Sequence, residues 1–135
     1  MAETTFQASI VTPESVVLET GTTFAVIPAD DGLQGILNQH APFIKRLKPG
    51  LLKLNTPEGI YRFAITGGYV QMQDNVLTIL TDEAIAESSV TADLISAEDA
   101  RASAMPAETD LQIRKRKAAL ARVEALRAMA AIGDE

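Results

Sequence analysis

The residue types that most often carry chemistry are sparse in this sequence, and His40 is the first to consider. Histidine is the side chain that most readily exchanges a proton near neutral pH, so a search for a general base begins there. A catalytic triad or an imidazole metal cage would need further partners, yet the chain has one histidine and no cysteine. From the residues alone we interpret His40 as a turn histidine satisfied by the local backbone.

Two short clusters invite a functional interpretation but lack the partners it would need. Gly67–Gly68 could belong to a phosphate-binding loop, but the longer glycine pattern and the lysine of such loops are missing. We predict a bulge or a close backbone approach there instead. Asp82 and Glu83 are adjacent carboxylates at a strand end, where neighbouring side chains point apart, so we predict solvated turn charges. No catalytic residue and no metal site are expected.

The composition changes near residue 84, which indicates two regions built from different elements. Seven of the eight glycines and five of the six prolines lie before residue 69, whereas the region after Glu83 is rich in alanine. Frequent turn formers are typical of strands, and alanine favours helices. We predict a β-sandwich domain over residues 1–85 and a helical hairpin domain over residues 86–135.

The first region is expected to be an antiparallel β-sandwich or barrel of about ten short strands. Residues 73–75 separate two apolar runs and are predicted to form a hairpin turn. The candidate strands cover residues 6–10, 16–18, 24–27, 43–47, 51–54, 60–65, 69–72 and 76–80.

The second region is expected to be an antiparallel pair of α-helices. The first should run from a cap at Thr91 to about residue 104, because Pro106 stops it. The second should run from residue 109 or 110 to about residue 131, with Gly133 just past its end. Its apolar residues form only an imperfect stripe, and each alanine buries little area, so we expect weak anchorage of the hairpin.

The overall charge and the apolar pattern exclude several classes of function. A formal net charge of −6 disfavours nucleic acid, which needs basic surface. The absence of cysteine excludes disulfides, and no apolar run approaches the ~20 residues of a membrane span. The start, residues 1–7, carries no targeting signal. We expect a soluble protein in the cytoplasm or on a cytoplasmic membrane face.

Four short segments follow one another along the first region of the chain: Gly35–Leu37 with His40–Pro42, Leu47–Gly50, Thr66–Val70 and Leu80–Ala84. In order and spacing they resemble the Gly-His-Ala-Pro, Lys-Pro-Gly, Ser-Gly-Gly and Asp-Glu-Ala segments of the epsilon subunits of F-type ATP synthases and their mitochondrial delta relatives. Two departures stand out: Asn38–Gln39 replaces the usual Pro-Gly, and Leu33 replaces a common acidic residue.

The resemblance implies a subunit of the central stalk with no catalytic role of its own. Such a subunit couples rotation of the c-subunit ring to the gamma stalk, for ATP synthesis from a proton gradient. The hairpin of such a subunit regulates ATP hydrolysis through transient contact with the alpha and beta catalytic subunits. The implied location is peripheral, at the cytoplasmic face of the bacterial inner membrane.

The resemblance also implies contact residues. Asp30, Asp31 and His40 are rotor-contact candidates; for the two aspartates a plain hairpin turn is the alternative. The basic residues of the second helix are candidates for contact with the catalytic subunits, and a solvated helix face is the alternative. These basic residues are Arg114, Lys115, Arg116, Lys117, Arg122 and Arg127.

Some members of the family bind ATP through a motif on the first helix, whose nearest match here is Ala97–Ala102. Its apolar position is reduced to alanine and its aspartate is replaced by Glu98. A helix ion pair between Glu98 and Arg101 is the alternative use of those residues. The departures argue against ATP binding, and we predict no cofactor.

Two other classes of function compete with this interpretation. A small β-sandwich enzyme or sugar-binding module would need converging acids, a metal set or an activated nucleophile, none of which the sequence assembles. A free adaptor protein that binds a helix through its hairpin is the third interpretation.

Overall fold

The computed structural model describes residues 4–133; Met1–Glu3, part of the start in which no targeting signal is expected, lie outside the described residues. Within them eight strands are followed by two α-helices. The strands are β1 Phe6–Val11, β2 Val16–Thr22, β3 Phe24–Ala29, β4 Gly32–Leu37, β5 Phe43–Thr56, β6 Gly59–Gln73, β7 Val76–Leu80 and β8 Ala84–Ala86. A short 3-10 turn at Glu87–Ser89 leads to α1, Ala92–Ala104, and α2, Asp110–Gly133.

The strands form the predicted sandwich, in which one sheet folds over on itself. The hydrogen-bonding order is β2-β1-β7-β6-β5-β3-β4, and β8 pairs with β6. The described pairings are antiparallel apart from β1 with β7, which is parallel. A single apolar core joins the inner faces of both layers and includes Phe6, Ile36, Leu52, Met72 and Leu77.

The long strands β5 and β6 serve both layers because their core-facing side switches midway. Leu47 is buried in the first part of β5, but Leu52 and its even-numbered neighbours are buried in the second. In β6 the core-facing positions change in the same way, from odd-numbered residues such as Ile65 to even-numbered residues such as Val70. Since side chains alternate along a strand, the switch requires a local kink. Gly67–Gly68 lies at that point.

The structure has eight strands in the described residues rather than about ten. The candidates at 43–47 and 51–54 are two halves of β5, and those at 60–65 and 69–72 are two halves of β6. The turn formers between the halves kink the strands while the β5–β6 register continues across them. β4 and β8 are absent from the predicted strands.

Both helices begin where the sequence predicts, and α1 has its predicted side-chain cap. The Thr91 hydroxyl accepts the Leu94 N–H at 3.1 Å. At the start of α2, Thr109 Oγ1 accepts the Gln112 N–H while Gln112 Oε1 accepts the Thr109 N–H, each at 3.1 Å. The end of α2 was placed too early by the prediction: Gly133 belongs to the helix. Glycine tolerates helical torsion angles as well as those of a helix stop.

The second half of α2 lies on the outer side of the sandwich. Ala125, Leu126 and Met129 are buried there against Ala64 of β6, while Val123 is buried toward α1. The first half of the helix is mostly exposed. The hairpin is therefore docked in this structure, and a small apolar cluster that joins the end of α2, Leu94 and Ile95 of α1 and the sandwich anchors it.

Candidate functional site

Asp30 and Asp31 form the turn between β3 and β4. The Asp30 N–H donates to the Arg46 carbonyl at 2.9 Å, and the Asp31 carboxylate lies 3.6 Å from the Lys45 ammonium. Both aspartates are exposed. The geometry is that of a plain hairpin turn. Because both carboxylates are exposed, a polar contact with another subunit stays a prediction.

His40 lies in the turn between β4 and β5. Its Nδ1 is 3.0 Å from the Ala41 carbonyl, and its ring packs edge-on against Phe43 with centroids 5.2 Å apart. The local satisfaction expected of a turn histidine is confirmed. Gln39, which occupies the position of the family's glycine, has φ +62°, so the departure from Pro-Gly leaves a left-handed residue in the turn.

The structure does not bring the three rotor-contact candidates together. The Asp30–Asp31 turn precedes β4 and the His40 turn follows it. A six-residue strand spans about 17 Å. The two turns can therefore meet a partner only as separate contact points, or meet different partners.

Arg122 is the centre of an ion-pair cluster that joins the hairpin to the sandwich. Its Nη1 contacts the Glu83 carboxylate at 2.5 Å, and its Nη2 lies 3.7 Å from the Glu98 carboxylate. Glu83 follows β7 and Glu98 is on α1, so the three residues (hereafter the Arg122 cluster) connect three elements. Glu83 keeps 43% of its side chain exposed, as a solvated turn charge would, but its partner on α2 was not predicted; Asp82 is exposed, as expected.

The six basic residues of α2 separate into two groups. Arg122 belongs to the Arg122 cluster, and Arg127 contacts the Asp99 carboxylate on α1 at 2.6 Å. The run from Arg114 to Lys117 forms no ion pair with the described part of the chain. Among the described residues of the docked hairpin, only that run presents unneutralised positive charge.

Glu98 and Arg101, two residues of the ATP-motif match, form an ion pair with each other. Arg101 Nη2 lies 3.0 Å from Glu98 Oε2, which confirms the predicted i,i+3 ion pair. Beside it is an open groove of about 300 Å³, lined in part by Glu83, Lys115 and Arg122. The same Glu98 carboxylate also faces Arg122, so its charge is neutralised within the protein.

Removing the Arg122 guanidinium should loosen the hairpin. Because the cluster is only partly buried, we expect Arg122→Gln to weaken docking of α2 by about 1 kcal/mol, and less at high salt. The measurement is amide exchange along α2 at low and high ionic strength. Arg116→Gln, on the unpaired part of the same helix, is the matched control; equal exchange in both variants would show that the cluster contributes nothing.

A second feature of the surface escapes the sequence patterns. On the outer side of β1, β7, β6 and β5, Val11 pairs with Leu80, Leu80 with Tyr69, and Tyr69 with Arg46. Tyr69 and Leu80 are about half exposed, and the Arg46 guanidinium lies 5.8 Å from the Tyr69 ring centroid. With the exposed Ile44, these residues form a partly apolar surface that also contains Arg46 and Gln71, hereafter the open face.

The open face lies on the layer that the hairpin does not cover. A groove of about 440 Å³ runs along it between the β1–β2 turn, Gly68 and the end of β7. In the sequence, the open face is indicated by Val76 and Leu80. These apolar residues are the first and last of β7, and both side chains point outward. A sheet exposed to water alternates apolar and polar residues, so this pattern indicates a second contact surface.

Two kinds of site are absent from the part of the chain that the structure describes. No three His, Asp or Glu side chains between residues 4 and 133 are grouped as metal ligands. Neither of the two helices, over those same residues, is long and apolar enough to cross a membrane.

Two solved chains that superpose on this one come from mitochondrial ATP synthases. A chain of the Euglena gracilis mitochondrial ATP synthase, solved as OSCP/F1/c-ring, superposes with a TM-score of 0.76 at 20% identity, covering 95% of this chain and 83% of that one. A chain of the Tetrahymena thermophila enzyme, solved as central stalk/c-ring, gives a TM-score of 0.63 at 17% identity, with 94% and 97% covered.

Sequence comparison gives the family. Residues 5–87 match the family described as ATP synthase, Delta/Epsilon chain, beta-sandwich domain. The ATP synthase epsilon chain of Symbiobacterium thermophilum is 37% identical over 119 residues, covering 87% of this chain and 80% of the relative. That of Rhodopirellula baltica is 36% identical, covering 84% and 88%. The chain belongs to the delta/epsilon chain family of ATP synthases.

Proposed function

We propose that this chain is the epsilon subunit in the central stalk of a bacterial F-type ATP synthase, where it passes rotation of the c-subunit ring to the gamma subunit. The observation that supports this most is the open face, a partly apolar surface on a stiff sandwich. Family membership makes the chain a structural subunit of the complex rather than an enzyme. Its contribution to ATP synthesis is mechanical.

The open face is the proposed docking surface for the gamma subunit. An interface that transmits torque needs a broad contact whose centre excludes water, and aromatic and arginine side chains are the usual anchors of such centres. Tyr69 and Arg46 stand side by side at the middle of this face, with Leu80 next to them. The β ladder beneath holds them in fixed positions.

The ring contact is assigned to the Asp30–Asp31 turn. Its carboxylates project from the end of a rigid hairpin, where they can meet polar loops of ring subunits. Leu33, which stands where the family commonly has an acidic residue, is 72% exposed and adds an apolar contact beside the turn. The His40 turn, at the other end of β4, is the second rotor contact.

The hairpin is the proposed regulatory element. In the docked form Arg122 and Arg127 are held by carboxylates of the chain itself, whereas Arg114–Lys117 remains available. When the hairpin extends, Arg122 and Arg127 are released as well, and all six basic residues can approach an acidic segment of the beta subunits. We assign slower ATP hydrolysis to that extended state.

ATP is not part of the proposed function, because Glu98 is already paired with Arg101 and faces Arg122. The location follows from the assembly: the subunit would be peripheral, on the cytoplasmic face of the inner membrane, and attached through the stalk.

Binding to an isolated gamma subunit tests the proposal directly. We expect the wild-type chain to form a one-to-one complex and Tyr69→Glu to weaken binding about 30-fold, because a charge replaces a central aromatic anchor. The matched control is Ile60→Glu, which adds the same charge to an exposed apolar position of β6 in the other layer.

Two outcomes would contradict the assignment. Equal affinity of the two variants would remove the open face from the interface. A wild-type chain that self-associates and does not bind gamma would instead favour a free adaptor.

A further inference from the structure

The turn that carries His40 adopts a conformation that its own residues do not favour. The His40 N–H donates to the Leu37 carbonyl at 3.2 Å, so Asn38 and Gln39 are the central residues of a β-turn. Gln39 has φ +62°, the left-handed region in which a side chain with a Cβ is disfavoured. Something outside the turn must therefore stabilise it.

The side chain of Asn75 makes that external contact. Its Oδ1 accepts the Gln39 N–H at 2.8 Å, and its Nδ2 donates to Asn38 Oδ1, also at 2.8 Å. The backbone N–H can only donate, which fixes the oxygen of the Asn75 amide toward it. Both ends of one carboxamide thus hold the two central residues of the turn.

Asn75 is itself held in a rigid part of the sandwich. It forms the two-residue turn between β6 and β7 with Asp74, and both residues have positive φ. Its carbonyl accepts the Gln7 N–H at 3.2 Å, which ties the turn to β1. The neighbouring strands contribute Met72 and Leu77 to the core.

We propose that Asn75 is a positioning residue for the rotor contact at His40: its carboxamide clamps the Asn38–Gln39 turn and so fixes where the His40 ring points. This inference rests on the proposed function for the identity of the partner. The clamp itself is a property of the isolated chain.

Amide exchange of the purified chain tests the clamp. We expect Asn75→Gly to speed exchange of the Gln39 amide about tenfold, because that N–H loses its acceptor while glycine keeps the β6–β7 turn at positive φ. The control is Asp74→Gly, a glycine substitution in the same turn at φ +53°. Unchanged exchange at Gln39 in Asn75→Gly would overturn the clamp.

A rescue separates positioning from a general loss of stability. In the Asn75→Gly background, Gln39→Gly should restore protection of the His40 amide, because glycine adopts the left-handed turn without help. If Asn75 acts only through the β6–β7 turn, Gln39→Gly will restore nothing, and the inference fails.

Crosslinking in the assembled enzyme tests the rotor part. A cysteine introduced by His40→Cys should crosslink to a gamma or ring subunit, and adding Asn75→Gly should lower the yield severalfold while Asp74→Gly leaves it unchanged. Equal yields in all three backgrounds would overturn the positioning role. No crosslink in any background would refute the rotor contact at His40, even where the exchange result upholds the clamp.

Discussion

The Gly68→Ala variant should lose about 3 kcal/mol or more of folding stability, or fail to fold. A Cβ at this position would lie 1.9 Å from the Leu80 carbonyl oxygen, which belongs to the backbone of β7 and cannot turn away. The φ of Gly68, +129°, adds strain for any residue with a side chain. The clash and the strain both act where β6 passes from one layer to the other.

The control is Gly59→Ala, which separates the effect of the steric clash from that of the backbone strain. Urea denaturation measures the free energy of unfolding of both variants. Gly59 has φ +144°, but a Cβ there meets nothing within 4 Å. We expect Gly59→Ala to cost about 1–2 kcal/mol from backbone strain alone. Equal losses in the two variants would mean that β7 can move away from Gly68, and that the close approach is not essential to the fold.

This close approach is one of the features that the sequence predicts well. Paired glycines without the rest of a phosphate-loop pattern indicate a backbone contact, and Gly68 makes one. The turn before Val76 and the cap at Thr91 were equally predictable, because the torsion angles or hydrogen bonds they need belong to particular residue types. The residue types indicate all three features, although the partner of Gly68, the Leu80 carbonyl on β7, is known only from the structure.

The missed strand β4 shows where local patterns fail. It contains Gly32 and Gly35, residues that weaken strands, and its conformation depends on pairing with β3. Gly35 leaves room for the tip of the Phe24 ring, because a Cβ there would lie 2.9 Å from it and the ring would have to shift. That requirement comes from the neighbouring strand, so the sequence of β4 alone cannot reveal it.

The functional surfaces were harder to predict than the fold. Arg122 contacts Glu83 across 39 residues of sequence, and nothing in either segment indicates the other. The open face depends on which side of β6 and β7 points outward after the strand kinks. By contrast, the resemblance to the family was enough to name individual contact residues. Only the structure shows that the turns at Asp30 and His40 lie at opposite ends of β4.

The hairpin that the Arg122 cluster ties to the sandwich has a small apolar anchor, and that combination suits an element that must be released. Alanine-rich helices bury little area per residue, and the first half of α2 is mostly exposed. The apolar contacts that hold the docked state are therefore concentrated in one cluster, in which Leu126 is fully buried and Leu94 and Ile95 of α1 are partly buried. A single substitution there should shift the balance between docked and released forms.

Leu126→Ala should release the hairpin from the sandwich. Leu126 is fully buried against Ala64, and removing such a side chain costs about 2–4 kcal/mol. Amide exchange should show rapid exchange throughout α2 while the amides of β6 and β7 stay protected. The matched control is Leu120→Ala on the same helix, where the side chain is 37% exposed and about 1 kcal/mol or less is expected.

In the assembled enzyme the same substitution should lower ATP hydrolysis, because the released hairpin populates the extended state that we assign to inhibition. Arg122→Gln should act in the same direction but more weakly, since it removes a partly exposed ion pair rather than a buried leucine. If Leu126→Ala releases α2 in the purified chain and hydrolysis does not change, the hairpin does not regulate the enzyme. If hydrolysis rises instead, the docked form is the inhibitory one, and the proposed direction of control is reversed.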